Sequence, residues 1–134
     1  MKKIVFMIGL TVASAAFADT HAATVDELLA QYQRDGAGPF RAEQGRVLLN
    51  QVGGGETSSE GNSCAACHTT DPKQAGKHVK TGKLIEPLAP AVNRDRLQDA
   101  DKVEKWFLRN CKGTLGRICT PQEKGDFLTF LTTL

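Results

Sequence analysis

The sequence has 134 residues, of which 40% are hydrophobic and 6% aromatic, and its formal net charge is +2. A chain of this length fits one small domain. No apolar run after the N-terminal segment is long enough to cross a bilayer, which excludes a multi-pass membrane protein. Charge this close to neutral also argues against general nucleic-acid binding, which depends on clustered positive charge.

The N-terminus has the pattern of a secretory signal peptide over residues 1–18. Lys2 and Lys3 precede a short apolar stretch, and small residues surround Ala18. We predict cleavage after Ala18, because an uncleaved membrane anchor would need a longer apolar run. The predicted mature domain, residues 19–134, then holds 15 basic and 15 acidic side chains and is neutral. The signal resembles bacterial ones, so we expect export to the oxidising periplasm.

Two amphipathic helices are predicted in the first part of the mature chain. The first has apolar residues at i, i+3, i+4 and i+7 and ends at Gly36. The second is predicted from Pro39 to about Gln51. Glycine weakens a helix interior, so we expect Gly45 to lie against another backbone. The apolar residues are Val25, Leu28, Leu29 and Tyr32 in the first helix and Phe40, Val47 and Leu48 in the second.

Two further helices are predicted near the C-terminus. Asp99 is a suitable N-cap for a helix that ends at about Asn110. Residues 120–123 (Thr-Pro-Gln-Glu) have the pattern of a capping box with proline at the first helical position, and they begin the last helix. The apolar residues are Val103, Trp106 and Phe107 on the face of Asn110, and Phe127, Phe130, Leu131 and Leu134 in the last helix.

The remaining segments are predicted to be irregular. Residues 53–63 are loop by composition, and residues 72–96 contain three of the prolines. Four short helices joined by long irregular segments bury little apolar surface, so we expect a bound group to fill part of the core. The predicted fold class is all-α, with four to five short helices.

The motif Cys64-Ala65-Ala66-Cys67-His68 is the attachment signature of c-type haem. Cysteines three residues apart lie one helical turn from each other, so both thiols can form thioethers with one porphyrin. His68 then supplies the proximal imidazole ligand of the iron. A carbonyl from residues 88–90 is expected to accept a hydrogen bond from its other ring nitrogen.

Two other readings of the same cysteines are weaker. A redox-active Cys-x-x-Cys pair is expected near a βαβ pattern, and none is visible. A zinc site needs more ligands at matching spacing, and the mature chain offers few beyond the motif, namely His21, His78, Cys111 and Cys119. We therefore predict one covalently attached haem c.

The sixth iron ligand cannot be the usual methionine. The two methionines, Met1 and Met7, both lie in the predicted signal peptide. His78 is one candidate, although an exposed loop histidine among lysines is the commoner role for such a residue. Asn110 is the other, because it shares a face with apolar residues, where an unpaired amide is costly. An ordinary amide near the end of a helix explains Asn110 equally well.

The mature chain resembles the oxygen-binding class I cytochromes c typified by the sphaeroides haem protein. Four segments carry the resemblance: CAACH at 64–68, TGKLIEPLAP at 81–90, VEKWFLRNC at 103–111 and GRICTPQEK at 116–124. The last three are more specific than the attachment motif. The resemblance extends from residue 25 to the C-terminus.

This resemblance implies a class I cytochrome c fold around one covalently bound haem. It implies that Asn110 is the sixth ligand and that it leaves the ferrous iron, so that oxygen or nitric oxide binds. An amide oxygen is a hard, weak donor for soft ferrous iron, which agrees with release on reduction. The resemblance also implies a dihaem cytochrome c as the electron donor.

Two cysteines, Cys111 and Cys119, are left after haem attachment. In an oxidising compartment an even remainder suggests a disulfide, and the resembling family has one here. The bridge would restrain the movement of the adjacent Asn110.

Charge is distributed unevenly along the mature chain. Three basic and seven acidic residues precede the haem motif, whereas twelve basic and eight acidic residues follow it. A lysine cluster either steers an acidic electron donor to the haem or only keeps a loop solvated. Its members are Lys73, Lys77, Lys80 and Lys83.

The leading functional hypothesis is a periplasmic haem protein that binds diatomic ligands at an iron controlled by Asn110. The alternative is an electron carrier in which His68 and His78 both bind the iron. A third hypothesis is an enzyme acting on a bound gas or nitrogen oxide. The sequence identifies no distal acid–base residue, so no catalytic residue is assigned.

Overall fold

A computed structural model describes residues 20–54 and 62–134. The predicted signal peptide, residues 1–18, lies outside the described residues, as does most of the predicted loop at 53–63. The elements in chain order are α1 (Thr20–Arg34), α2 (Ala42–Asn50), α3 (Cys64–His68), β1 (Gly76–Lys77), β2 (Leu84–Ile85), α4 (Ala100–Leu115) and α5 (Pro121–Thr132). The all-α expectation is confirmed.

Helices α1, α4 and α5 share one core cluster. The stripe predicted for α1 is buried, with Leu28 only 1% and Tyr32 only 2% exposed. Val103 of α4 and Leu128 of α5 pack against them. Burial of these side chains, rather than helix propensity, supplies most of the stability of short helices.

Helices α2 and α5 cross where Gly45 removes a side chain. A β-carbon built on Gly45 would lie 2.7 Å from the β-carbon of Phe130 and would overlap the carbonyl of Asp126. Only glycine allows the two backbones to come this close, so the expectation for Gly45 is confirmed. Beside the crossing, Leu49, Phe130 and Leu131 form a second buried cluster.

The start of α2 differs from the prediction. The helix begins at Ala42, three residues after Pro39, because the preceding segment is extended and bonded to α5. The backbone N–H of Arg41 donates to the buried carboxylate of Asp126 at 2.7 Å, and the carbonyl of Pro39 accepts from Gln122. The apolar face also differs, because Val47 is 52% exposed and Leu49 is fully buried.

Helix α4 is longer than predicted. Asp99 caps it as expected, accepting from the backbone of Lys102. The helix continues past Asn110 to Leu115 and ends at Gly116, whose φ of 73° is left-handed. Gly113 lies inside the helix. The capping box predicted for the last helix is present at Thr120 and Glu123.

A short hairpin replaces part of the irregular segment predicted at 72–96. Strands β1 and β2 pair antiparallel, with Gly76 opposite Ile85 and Lys77 opposite Leu84. Strands of two residues are too short to show an alternating pattern in the sequence. In the described part of the chain, no helix has the length and apolar character needed to cross a membrane.

Candidate functional site

The haem-attachment motif forms a single helical turn, α3. Ser63 caps this turn, and its side-chain oxygen accepts from the backbone N–H of Ala66 at 3.2 Å. Cys64 and Cys67 are free thiols with intermediate exposure. Their spacing of three residues puts both thiols on one side of the turn, with His68 next to the second.

Two other elements hold this turn in place. Cys64 and Ala65 pack against the buried cluster of Leu49, Phe130 and Leu131. On another side, a β-carbon built on Gly76 would lie 2.9 Å from the carbonyl carbon of Cys67 and 3.0 Å from the α-carbon of His68. Strand β1 therefore lies directly on the backbone of α3, which requires glycine at position 76.

Burial keeps the imidazole of His68 and the thiol of Cys64 uncharged. Burial lowers the pKa of His68 to about 4, with a smaller contribution from the positive charge of Arg96. His68 is therefore neutral near pH 7, which is the form that binds metals. Burial raises the pKa of the Cys64 thiol to about 11.

Arg96 fixes the loop that follows the hairpin. Its guanidinium donates to the carbonyl of Glu86 at 2.7 Å and to that of Pro87 at 2.8 Å. Asn93 donates to the same Pro87 carbonyl at 3.1 Å. Three donors on two adjacent carbonyls hold the loop rigidly. The sequence did not reveal this role of Arg96, because no pattern around residue 96 indicates that its side chain bonds to carbonyl groups several residues earlier.

The loop is also joined to the segment that follows the motif. The backbone N–H groups of Leu88 and Ala89 both donate to the carbonyl of Pro72, at 2.9 and 3.0 Å. The carbonyl of Ala89 itself accepts from the N–H groups of Val92 and Asn93. Residues 86–96 therefore form one hydrogen-bonded unit next to α3.

Asn110 lies on the exposed flank of α4. The buried stripe of this helix consists of Val103, Phe107, Cys111 and Leu115, of which Phe107 is half-buried. Trp106 directly precedes Phe107, and Asn110 directly precedes Cys111. Each is therefore rotated by about 100° around the helix axis from a member of the buried stripe. Trp106 is 44% exposed and Asn110 is exposed. The expectation that apolar side chains surround the amide is therefore wrong.

The carboxamide of Asn110 is uncommitted. Within the described residues its side chain forms no hydrogen bond. The residue also lies five positions before the end of α4, so it is not the helix-end amide of the alternative reading. Arg109 instead stacks on the neighbouring Trp106, 5.4 Å from the ring centre.

The imidazole of His78 stabilises a turn. Its Nδ1 accepts from the backbone N–H groups of Lys80 and Thr81, each at 3.3 Å. His78 also pairs through its backbone with Lys83 and Gly82. The side chain of His21, named above among potential zinc ligands, lies outside the described residues.

Cys111 and Cys119 are bonded to each other, with their α-carbons 5.7 Å apart. Both are buried, in a cluster with Leu48 and Leu115. The disulfide joins the end of α4 to the segment before α5. Leu115 is buried, whereas Ile118 is 58% exposed.

A buried polar network that the sequence did not reveal lies behind α4. Tyr32 donates a hydrogen bond to Glu104, whose other oxygen accepts from Lys124. The ammonium of Lys124 lies 5.5 Å from the ring centre of Tyr32 and 6.0 Å from that of Phe107. The network joins α1, α4 and α5. In the described ranges, no three His, Cys, Asp or Glu side chains are grouped to hold a metal ion.

Comparison with known proteins identifies the family. Residues 35–131 match the family described as "Domain of unknown function (DUF1924)". The chain belongs to this family. A curated relative is the cytochrome c-type protein SHP of Cereibacter sphaeroides, 44% identical over 78% of this chain and 80% of SHP. Cytochrome c'' of Methylophilus methylotrophus is 35% identical over 99% of this chain and 94% of that protein.

Solved structures agree with this assignment to the DUF1924 family. Oxidised SHP, described as an oxygen-binding cytochrome c, superposes with a TM-score of 0.75 at 41% identity, covering 82% of this chain and 96% of SHP. The solution structure of cytochrome c'', described as giving insight into haem-ligand detachment, has a TM-score of 0.72 at 35% identity. It covers 84% of this chain and 95% of that one. The fold is that of these cytochromes c.

Proposed function

We propose that this member of the DUF1924 family carries one haem c, attached through the sulfur atoms of Cys64 and Cys67. The donor set fits this group: two reduced thiols lie three residues apart on one helical turn. The neutral imidazole of His68 is the proximal ligand in this proposal. Of the loop carbonyls at 88–90, that of Ala89 already accepts two backbone N–H groups. Leu88 and Pro90 are therefore the better acceptors for the other His68 nitrogen.

Asn110 would supply the second protein ligand of the iron in this proposal. The observation that carries it is the uncommitted carboxamide of Asn110, held on a long helix in a chain with no methionine after Met7. His78, the competing ligand, already uses one ring nitrogen to stabilise its own turn. The relatives support a ligand of this kind, since SHP is described as oxygen-binding and cytochrome c'' as detaching a haem ligand.

The chemistry of the haem iron is one-electron exchange and the binding of diatomic molecules such as oxygen and nitric oxide. Asn110 would control the access of these molecules to the iron. Its neutral amide oxygen is a weak donor that is poorer still for ferrous than for ferric iron. Asn110 would therefore bind the iron less firmly in the ferrous than in the ferric state, which would leave room for a diatomic ligand after reduction.

The compartment and the electron donor follow from the same proposal. Residues 1–18 direct the chain to the periplasm, where haem c is attached and a disulfide persists. A dihaem cytochrome c supplies the electron. We assign no catalytic residue, since the proposed function is ligand binding and not turnover.

Substitution of the two competing ligands tests the proposal. Asn110→Ala is expected to leave the ferric iron five-coordinate or water-bound, and His78→Ala is expected to leave the ferric spectrum unchanged. Reduced wild-type protein is expected to bind carbon monoxide. If His78→Ala alters the ferric spectrum and the reduced protein ignores carbon monoxide, the protein is instead a bis-histidine electron carrier.

A further inference from the structure

The hairpin and its approach carry an unbalanced positive charge. Between residues 73 and 83 the chain has four lysines and no acidic residue. All four are exposed, and in the part of the chain that the structure describes none forms an ion pair. Three basic residues elsewhere form ion pairs, namely Arg46–Glu43, Arg117–Glu123 and Lys124–Glu104. The hairpin and its approach therefore differ from other exposed basic residues in their density of lysines without a nearby acidic residue.

The turn of the hairpin is ordered by hydrogen bonds. The backbone N–H of His78 donates to the carbonyl of Lys83 at 2.9 Å, and that of Gly82 donates to the carbonyl of His78 at 2.8 Å. The His78 imidazole adds the two contacts to Lys80 and Thr81. The lysines are therefore presented on a fixed scaffold, which lowers the entropy lost when a partner binds.

The same surface has an apolar centre. Leu84 is 64% exposed and pairs across the strands with Lys77. An apolar residue with charged neighbours is typical of the small, transient interfaces of electron-transfer proteins. We use the name hairpin surface for the set Lys73, Lys77, Lys80, Lys83 and Leu84.

The hairpin surface lies next to the haem-attachment turn. Gly76 is buried, and its α-carbon has no room for a methyl group because the backbone of Cys67 and His68 fills that space. Gly76 therefore contacts the backbone of the attachment turn, and the next residue, Lys77, already belongs to the exposed face of the hairpin. A protein docked there reaches the segment that we propose to hold the haem.

We propose that the hairpin surface is the docking site for the acidic face of a protein electron donor. This inference rests on the function proposed above. In the step itself the donor loses one electron and the haem gains it, with no proton or third reactant. Four exposed lysines together with an exposed leucine favour a protein partner over a nucleic acid, because the mature chain as a whole is neutral.

Two matched variants test the location of docking. Lys77→Glu/Lys83→Glu reverses two charges on the hairpin surface, and Lys105→Glu/Lys112→Glu reverses two exposed charges on α4. Both variants change the net charge by the same amount, so only position differs. The probes are ferricyanide and tris(phenanthroline)cobalt(III), an anionic and a cationic oxidant, mixed with reduced protein at about 10 mM ionic strength, where screening extends over about 30 Å.

Ferricyanide is expected to oxidise the hairpin variant about tenfold more slowly than wild type, with a smaller change for the α4 variant. The cationic cobalt complex is expected to oxidise the hairpin variant faster than wild type, again with a smaller change for the α4 variant. Differences should shrink toward 1 M salt, where the screening length is about 3 Å. Equal effects in the two variants, or a larger effect on α4, would overturn the proposal.

Amide NMR with the anion hexacyanochromate(III) provides a readout that involves no electron transfer. This paramagnetic probe should broaden the resonances of residues 77–84 before those of α4. Broadening centred on α4, or tight binding of duplex DNA to the hairpin, would contradict a site for an acidic protein. The ferric spectra of Asn110→Ala and His78→Ala separate the two proposals. A wrong ligand assignment shows in those spectra, whereas a wrong docking site shows only in the lysine variants.

Discussion

The glycine at the crossing of α2 and α5 gives a sharp test of how the fold is stabilised. In Gly45→Ala the new methyl carbon would lie 2.7 Å from the β-carbon of Phe130, where ordinary contact begins at 3.4 Å. The helices must separate by at least the missing 0.7 Å, and the rigid carbonyl of Asp126 requires more. Overpacking of this kind costs about 1–3 kcal/mol. Alanine recovers about 1 kcal/mol of helix propensity, so a net loss of up to about 2 kcal/mol is expected.

Gly113→Ala is the matched control for this substitution. Gly113 also lies inside a helix, but a β-carbon there would meet no atom within 4 Å. This variant should gain about 0.5–1 kcal/mol, because alanine favours the helix and nothing opposes it. Urea unfolding, followed by circular dichroism and by the fluorescence of the single tryptophan, measures both. If the two variants are equally stable, the close crossing does not determine the stability of the fold.

Three further predictions concern the disulfide, the buried tyrosine and the loop arginine. Replacing Cys111 and Cys119 together by serine should lower the free energy of unfolding by about 2–3 kcal/mol; an unchanged urea midpoint would show that the bridge adds nothing. Burial and a hydrogen-bonded carboxylate raise the pKa of Tyr32 above its ordinary value of 10.0. The contribution of Tyr32 to the free energy of unfolding is therefore complete below pH 10 and is lost as the pH rises further. Tyr32→Phe should abolish that alkaline loss in unfolding experiments from pH 9 to 12, and persistence of the loss would assign it to another group. Arg96→Met should lower the haem reduction potential by tens of mV, on the order of the effect of one nearby positive charge. Arg94→Met is the control and should leave the potential unchanged in potentiometry. Equal potentials in the two variants would refute the role of the Arg96 charge.

The helices could be predicted because each repeats a local pattern. The stripe through Leu28 and Tyr32 needs only the helical period, and the capping box at Thr120 needs only four residues. Gly45 was predictable as a close contact because a glycine inside a helix is costly without one. The partner helix was not predictable, since nothing in the sequence of α2 points to α5.

The parts that escaped prediction depend on contacts between distant residues. Tyr32 and its acceptor Glu104 are 72 positions apart, and no local pattern connects them. The hairpin strands are too short for a periodic signal, and its position is determined by Gly76 against α3. For Asn110 the period of α4 was read correctly, but the buried stripe runs one position to the side, through Phe107 and Cys111.

The anchoring of α4 at both ends has a consequence for the speed of ligand exchange. Asp99 holds the first turn, and the bond from Cys111 to Cys119 holds the residue directly after Asn110. The backbone at Asn110 is therefore restrained on both sides. If Asn110 binds the iron as proposed, its amide would leave by rotation about its two side-chain torsions. Such rotations take picoseconds to nanoseconds at exposed positions. Under the function proposed above, release of Asn110 would then keep pace with diffusion of a small gas molecule.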